Sequence, residues 1–163
     1  MMKLCLILLV LLLSSCTKPA PITDVTLHRS QSDEILQEIS RQAQETFSVF
    51  LDKLHNPEPG EEDFMVKYPF EADPGSGFSH EHVWLGDIVI EHESYYGFIT
   101  NTPYYIANLS LGDRVSFDIS AISDWMYRKN NKIIGGRSIK YLIEQTPQPD
   151  WEPEVRKYYE QFE

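Results

Sequence analysis

From Ile35 to Leu54 the apolar residues Ile35, Leu36, Ile39, Ala43, Phe47, Phe50, Leu51 and Leu54 recur at three- and four-residue steps. That period predicts one long amphipathic helix of about 22 residues with an aromatic stripe for a core-facing side. Ser30-Gln31-Ser32-Asp33 offers two N-caps, Asp33 following Ser30 by three residues as in a capping box. The helix should stop before His55-Asn56-Pro57. After the acidic connector Pro57–Asp63 the period changes to two. Phe64–Tyr68 reads as a strand closed by Pro69, and 72–79 as a Gly/Pro/Asp/Ser loop. His82–Ile90 and Tyr95–Asn101 predict a hairpin about the polar turn His92-Glu93-Ser94. Val115, Phe117 and Ile119 alternate with polar residues, Ile122–Tyr127 predicts a further strand, and Lys129–Lys132 a tight turn into Ile133-Ile134. Gly135-Gly136 breaks the pattern before short helices around Ile139–Ile143 and Pro153–Phe162. The sum is an α+β domain: a long helix, a compact antiparallel sheet or partial barrel of five or six strands with helices on one side, and short C-terminal helices.

The amino-terminal pattern differs in kind. Lys3 precedes an unbroken apolar run, Leu4–Leu13, followed by Leu13-Ser14-Ser15-Cys16. Ten helical residues reach about 15 Å, too short for a bilayer core of roughly 30 Å. This is the layout of a removable bacterial lipoprotein signal, in which small residues admit the peptidase and the Cys16 thiol accepts lipid. Residues 1–15 are then the leader, 16–29 the lipidated cysteine (palmitate-type acyl chains) and a Pro-containing tether, and 30–163 a single domain. A tether of this length spans at most about 40 Å. Cys16 anchors the chain to a membrane of the cell envelope. With Thr17 rather than Asp after it, that is the outer membrane, facing the periplasm, if the cell is Gram-negative.

Composition narrows the chemistry. Cys5 leaves with the leader and Cys16 is consumed by lipid, and these are the two cysteines of the chain. No thiol remains for a cysteine peptidase, a disulfide or a thiolate metal site. The formal net charge of −11 argues against a nucleic-acid partner, which would need clustered Lys and Arg. No Gly-x-Ser-x-Gly elbow and no Gly-rich phosphate loop before a helix occurs, and no cofactor is expected.

Several segments resemble the bacterial domain of unknown function 2314, the YegJ-like proteins. They are Glu81-His82-Val83-Trp84-Leu85, Gly97–Pro103, Leu111-Gly112-Asp113-Arg114-Val115, Ile122–Tyr127 and the pair Gly135-Gly136. The similarity runs in consistent order from about Phe64 to Ile143. Arg137-Ser138 departs from it, an aromatic and a threonine being expected there. The resemblance implies a domain and no activity.

Among the chemistry-bearing residues, His80-Glu81-His82 places two imidazoles on one strand face about 6.6–7 Å apart along the chain, a spacing that can chelate zinc or copper. No third ligand is identifiable, so His80 and His82 are weak metal candidates. Glu81, His82 and Asp124 could exchange protons if a cleft brought them together. Trp84 and Trp125 read as core pillars whose indole N–H groups need partners. In one open concavity they would instead form a binding platform with Asn101. Glu81, His82, Trp84, Asn101, Asp124 and Trp125 are therefore the candidate binding residues. The function expected is a non-enzymatic, membrane-tethered binding or accessory domain for a protein or small-molecule ligand. Two alternatives stand beside it: a metal-dependent hydrolase acting on envelope material, and an inhibitor of a cationic enzyme such as a lysozyme.

Overall fold

The computed structural model describes residues 33–163. The leader, Cys16, the tether and the Ser30 capping box lie outside the described residues. Asp33 is itself the cap of α1 (Glu34–Glu45): its Oδ1 accepts the amides of Ile35 and Leu36, at 3.0 and 3.4 Å. Its Oδ2 accepts the Tyr141 hydroxyl at 3.0 Å, so one carboxylate starts the helix and ties it to a distant one.

The expected single helix is two. α2 (Phe47–His55) follows α1 after a break at Thr46, where φ is −98° and ψ 6°. The Thr46 hydroxyl donates to the Gln42 carbonyl at 2.6 Å, the back-bonding that bends helices. The apolar phase continues across the bend, burying Ile39, Ala43, Phe47 and Phe50.

Six strands follow: β1 (Glu61–Glu71), β2 (His80–Glu91), β3 (Ser94–Ile99), β4 (Arg114–Phe117), β5 (Asp124–Lys129) and β6 (Lys132–Gly135). They form one open antiparallel sheet in the order β4-β3-β2-β1-β5-β6. The first four make a meander, and the chain then returns to the other side of β1. Both two-residue hairpins, His92-Glu93 and Asn130-Asn131, have positive φ at each position, the type I′ geometry that matches strand twist. Register shifts in β1 and β2 coincide with left-handed Asp63 (φ 53°) and Asp87 (φ 46°), bulges that add local twist.

β1 does not close at Pro69. The β5 ladder ends at Lys67–Asp124, while the β2 ladder continues through Pro69–His82 to Glu71. The Lys67 carbonyl accepts from Ser123 on the β5 side. Pro69 has the same parity, so its missing N–H points where β5 has already departed and no ladder bond is lost.

Helices cover both faces of the sheet, not one. Along β5, Trp125 and Tyr127 face α1 and α2 with Val66, Val83 and Leu85, whereas Met126 faces the other way with Met65, Trp84 and Ile133. That second face is closed by Ile139 and Ile143 of α3 (Arg137–Glu144), by Trp151, and by Tyr158 of α4 (Pro153–Tyr159). Burial on both sides explains why all of Asp124–Tyr127 is buried. The β6 edge is occupied by the C-terminus: the Ile133 amide donates to Gln161 O at 2.7 Å, and the Glu163 amide donates to Ile133 O at 3.2 Å. Among the described residues no helix is long and apolar enough to cross a membrane.

Candidate functional site at one end of the sheet

The ends of β1 and β3 and the starts of β2, β4 and β5 lie at one end of the sheet, so the loops 72–79 and 100–113 gather there, and the crossover 118–123, which leaves β4 at the opposite end, arrives there at Ser123. Two rows of polar side chains lie beneath them on the α3 face. In the first row, Asp124, Lys67 and Trp84 stand opposite one another on β5, β1 and β2. Asp124 is fully buried. Its Oδ2 accepts the Ser138 amide in the first turn of α3 at 2.7 Å, and its Oδ1 accepts the Trp125 amide at 2.8 Å. Burial raises its pKa, against the pull of those donors and of Lys67. The Lys67 Nζ donates to Ser138 Oγ at 3.3 Å and lies 5.6 Å from the Trp84 ring centroid. Desolvation lowers its pKa, with Asp124 opposing.

In the second row His82 stands opposite Pro69. Its Nδ1 lies 2.8 Å from Ser123 Oγ, and the Ser123 hydroxyl donates to the Lys67 carbonyl at 3.2 Å. With that proton committed, a neutral His82 donates from Nδ1. The residue keeps part of its surface in solvent, yet loss of water around the ring, then the Lys67 charge, then His80 bring its pKa down to about 4. The pair is thus an imidazole held neutral beside a hydroxyl whose own proton serves the backbone.

The remaining candidates lie elsewhere. Glu81 projects to the α1/α2 face, where its buried carboxylate accepts the Tyr104 amide at 2.8 and 3.0 Å and the Tyr105 amide at 2.7 Å. Asn101 Oδ1 accepts the Trp84 amide at 2.8 Å, while the Thr100 amide and hydroxyl both donate to the Trp84 carbonyl. Trp84 and Trp125 do not share a concavity. Trp84 pairs with Lys67 and Trp125 with Val66, adjacent residues of β1, so the two indoles are on opposite faces and 2% and 3% exposed. Both are core pillars, in two separate cores, and the platform that one open concavity would have formed with Asn101 does not arise. Trp125 Nε1 instead donates to Thr46 Oγ1 at 3.1 Å, and the Arg137 guanidinium lies 5.2 Å from its ring centroid. Gly135 (φ 81°) has to be glycine here, because a Cβ would come within 2.3 Å of the Trp125 carbonyl oxygen.

His80 Nδ1 is 3.0 Å from Ser79 Oγ, and among the described residues no group of three or more His, Cys, Asp or Glu side chains is placed to hold a metal. Of the residues picked from sequence, His82, Trp84 and Asp124 come together; Lys67, Ser123 and Ser138 complete the cluster unannounced. A lysine alternating with Met65 on a strand buried on both faces was the available signal for Lys67.

A bacterial family described as "uncharacterized protein conserved in bacteria" (DUF2314) matches residues 33–158, so the N-terminal helices and α4 fall within the match. The uncharacterized protein YegJ of Escherichia coli K12 is 26% identical over 149 residues, 91% of this chain and 94% of that protein. A protein of Neisseria meningitidis serogroup B, named a putative ankyrin repeat protein, is 32% identical over 122 residues. That alignment takes in 72% of this chain but 48% of the relative, so the chain spans about half its length. No solved structure matches.

Proposed function

The chain belongs to this DUF2314 family of bacterial proteins, and on that premise we propose that it is a lipid-tethered binding module of the cell envelope. Cys16 supplies the anchor, residues 17–29 the leash, and the loops at the end of the sheet the contact with a partner. One observation carries the reading: the Glu81 carboxylate spends itself on the amides of Tyr104 and Tyr105, fixing a loop whose Tyr104 side chain is 56% exposed. Exposed aromatics on loops braced by a rigid scaffold are the usual currency of recognition, because they offer large contact area at small entropic cost. Asp124, a candidate for proton exchange in the sequence, and Asn101, a candidate platform residue, likewise hold backbone amides. With Trp84 and Trp125 buried, the contact surface moves from the sheet face to Tyr104, Phe78 and Leu111.

A photo-reactive phenylalanine at position 104 of the lipidated full-length chain tests this in whole cells. A discrete cross-link to one envelope protein or glycan is expected at 104 and not at Glu154 on α4, and Glu81→Ala should abolish it by releasing the loop. The same cross-link pattern at 104 and 154 would overturn the reading.

A further inference from the structure

Lys67 is a lysine in an unusual position. It sits on the central strand, mostly covered, with its single hydrogen bond to a neutral hydroxyl, Ser138 Oγ, at 3.3 Å. Among the described residues no carboxylate lies within ion-pair distance of its Nζ, although covered lysines are almost always paired. Its other close neighbour is the Trp84 ring, which favours a cation only weakly against the loss of water. The nitrogen lone pair is therefore worth more here than on a solvated lysine.

We propose that Lys67 is a nucleophilic amine that captures small aldehydes or ketones as an imine. The Nζ lone pair attacks the carbonyl carbon, forming the C–N bond as the C=O electron pair moves to oxygen. One N–H proton passes through the Ser138 hydroxyl to that oxygen, giving a carbinolamine. Nitrogen then expels the hydroxyl, which leaves with a proton as water, and a C=N bond remains. Amine plus carbonyl gives imine plus water, with no oxidant or reductant. The titratable groups facing Lys67 are Asp124 from β5 and His82 from β2; α3 presents the neutral Ser138, and Tyr158 of α4 adjoins Asp124. Desolvation acts in the same direction as the geometry, lowering the Lys67 pKa. The site is independent of the tether and of the Tyr104 loop.

The test is competitive labelling of the folded full-length chain with propionaldehyde and cyanoborohydride, followed by peptide mapping of every lysine. At pH 7 Lys67 is expected to label several-fold faster than exposed Lys157, and the gap should narrow as the pH rises toward the ordinary lysine range. Ser138→Ala should slow labelling at Lys67 while leaving Lys157 unchanged. Labelling of Lys67 at pH 7 no faster than that of Lys157, or only after unfolding in urea, would overturn the proposal, and the wild-type map decides this without any variant.

Discussion

The indole N–H of Trp125 donates to the hydroxyl of Thr46 at 3.1 Å, and that hydroxyl donates onward to the Gln42 carbonyl at 2.6 Å. One side chain thus satisfies a buried donor in the sheet and divides the first helix into two. The bend lets α1 and α2 lay apolar residues on the same face, Ala43 from α1 and Phe47 and Phe50 from α2, with the Phe50 ring centroid 5.8 Å from that of Trp125.

Thr46→Ala should leave the Trp125 N–H buried without its partner and cost about 1–3 kcal/mol. Thr46→Ser, which keeps the oxygen, should cost less than half as much. Urea denaturation of both variants checks this, and equal stability of wild type and Thr46→Ala would show that the hydrogen bond is immaterial.

Asp124 anchors the first turn of α3 and is the carboxylate nearest in role to a counter-charge for Lys67. Asp124→Ala should destabilise by about 2–4 kcal/mol, through the lost cap and the Lys67 charge left without compensation. Adding Lys67→Met should recover part of that loss, since it removes the covered amine whose charge Asp124 favours from a distance. The readout is a double-mutant cycle; strictly additive losses would mean that the two residues do not interact.

His82 gives a pH signature of defined sign. Its folded pKa is about 4 against an ordinary value of 6.5. Between those values the unfolded chain binds a proton that the folded chain refuses, so stability falls as the pH drops from 6.5 toward 4. Below 4 both states are protonated and this contribution is exhausted. Asp124, raised by burial, acts in the opposite direction at its own titration. The difference between wild-type and His82→Gln melting curves isolates the histidine, and parallel curves from pH 4 to 7 would contradict the assignment.

The β2–β3 turn contains a correctable strain. Glu93 holds φ at 67° without being glycine, asparagine or aspartate, a conformation that costs L-residues roughly 1–2 kcal/mol. Glu93→Gly should therefore stabilise by about 0.5–1 kcal/mol after the added chain entropy of glycine is counted. Asn131→Gly, at the equivalent place in the β5–β6 turn, should gain less, because asparagine already tolerates φ 65°. Thermal melts of the two variants give the comparison.

What the sequence made legible was local. Asn130-Asn131 between Lys129 and Lys132 is a turn by residue chemistry alone, and the hairpin around His92-Glu93 follows from the apolar runs on either side. The helical phase from Ile35 to Leu54 was equally readable, but its bend was not, because Thr46 is diverted by a tryptophan far along the chain. The faces of Trp84 and Trp125 depend on the registers of β2 and β5 against β1, and a shift of one residue reverses a face. The same register brings Lys67 between Trp84 and Asp124, so a cluster spread from residue 67 to residue 138 has no signature at any single motif. Pro69 misled for a related reason: its place in β1 is harmless only because β5 ends two residues earlier.

The most direct test of a tethered module is the mass of the N-terminal peptide from the membrane fraction of cells expressing the full chain. The account predicts a peptide that begins at Cys16 and carries a diacylglyceryl group, with Cys16→Ser moving the protein out of the membrane fraction. A free Cys16 thiol, or a Cys16→Ser protein that stays with the membrane, would contradict it.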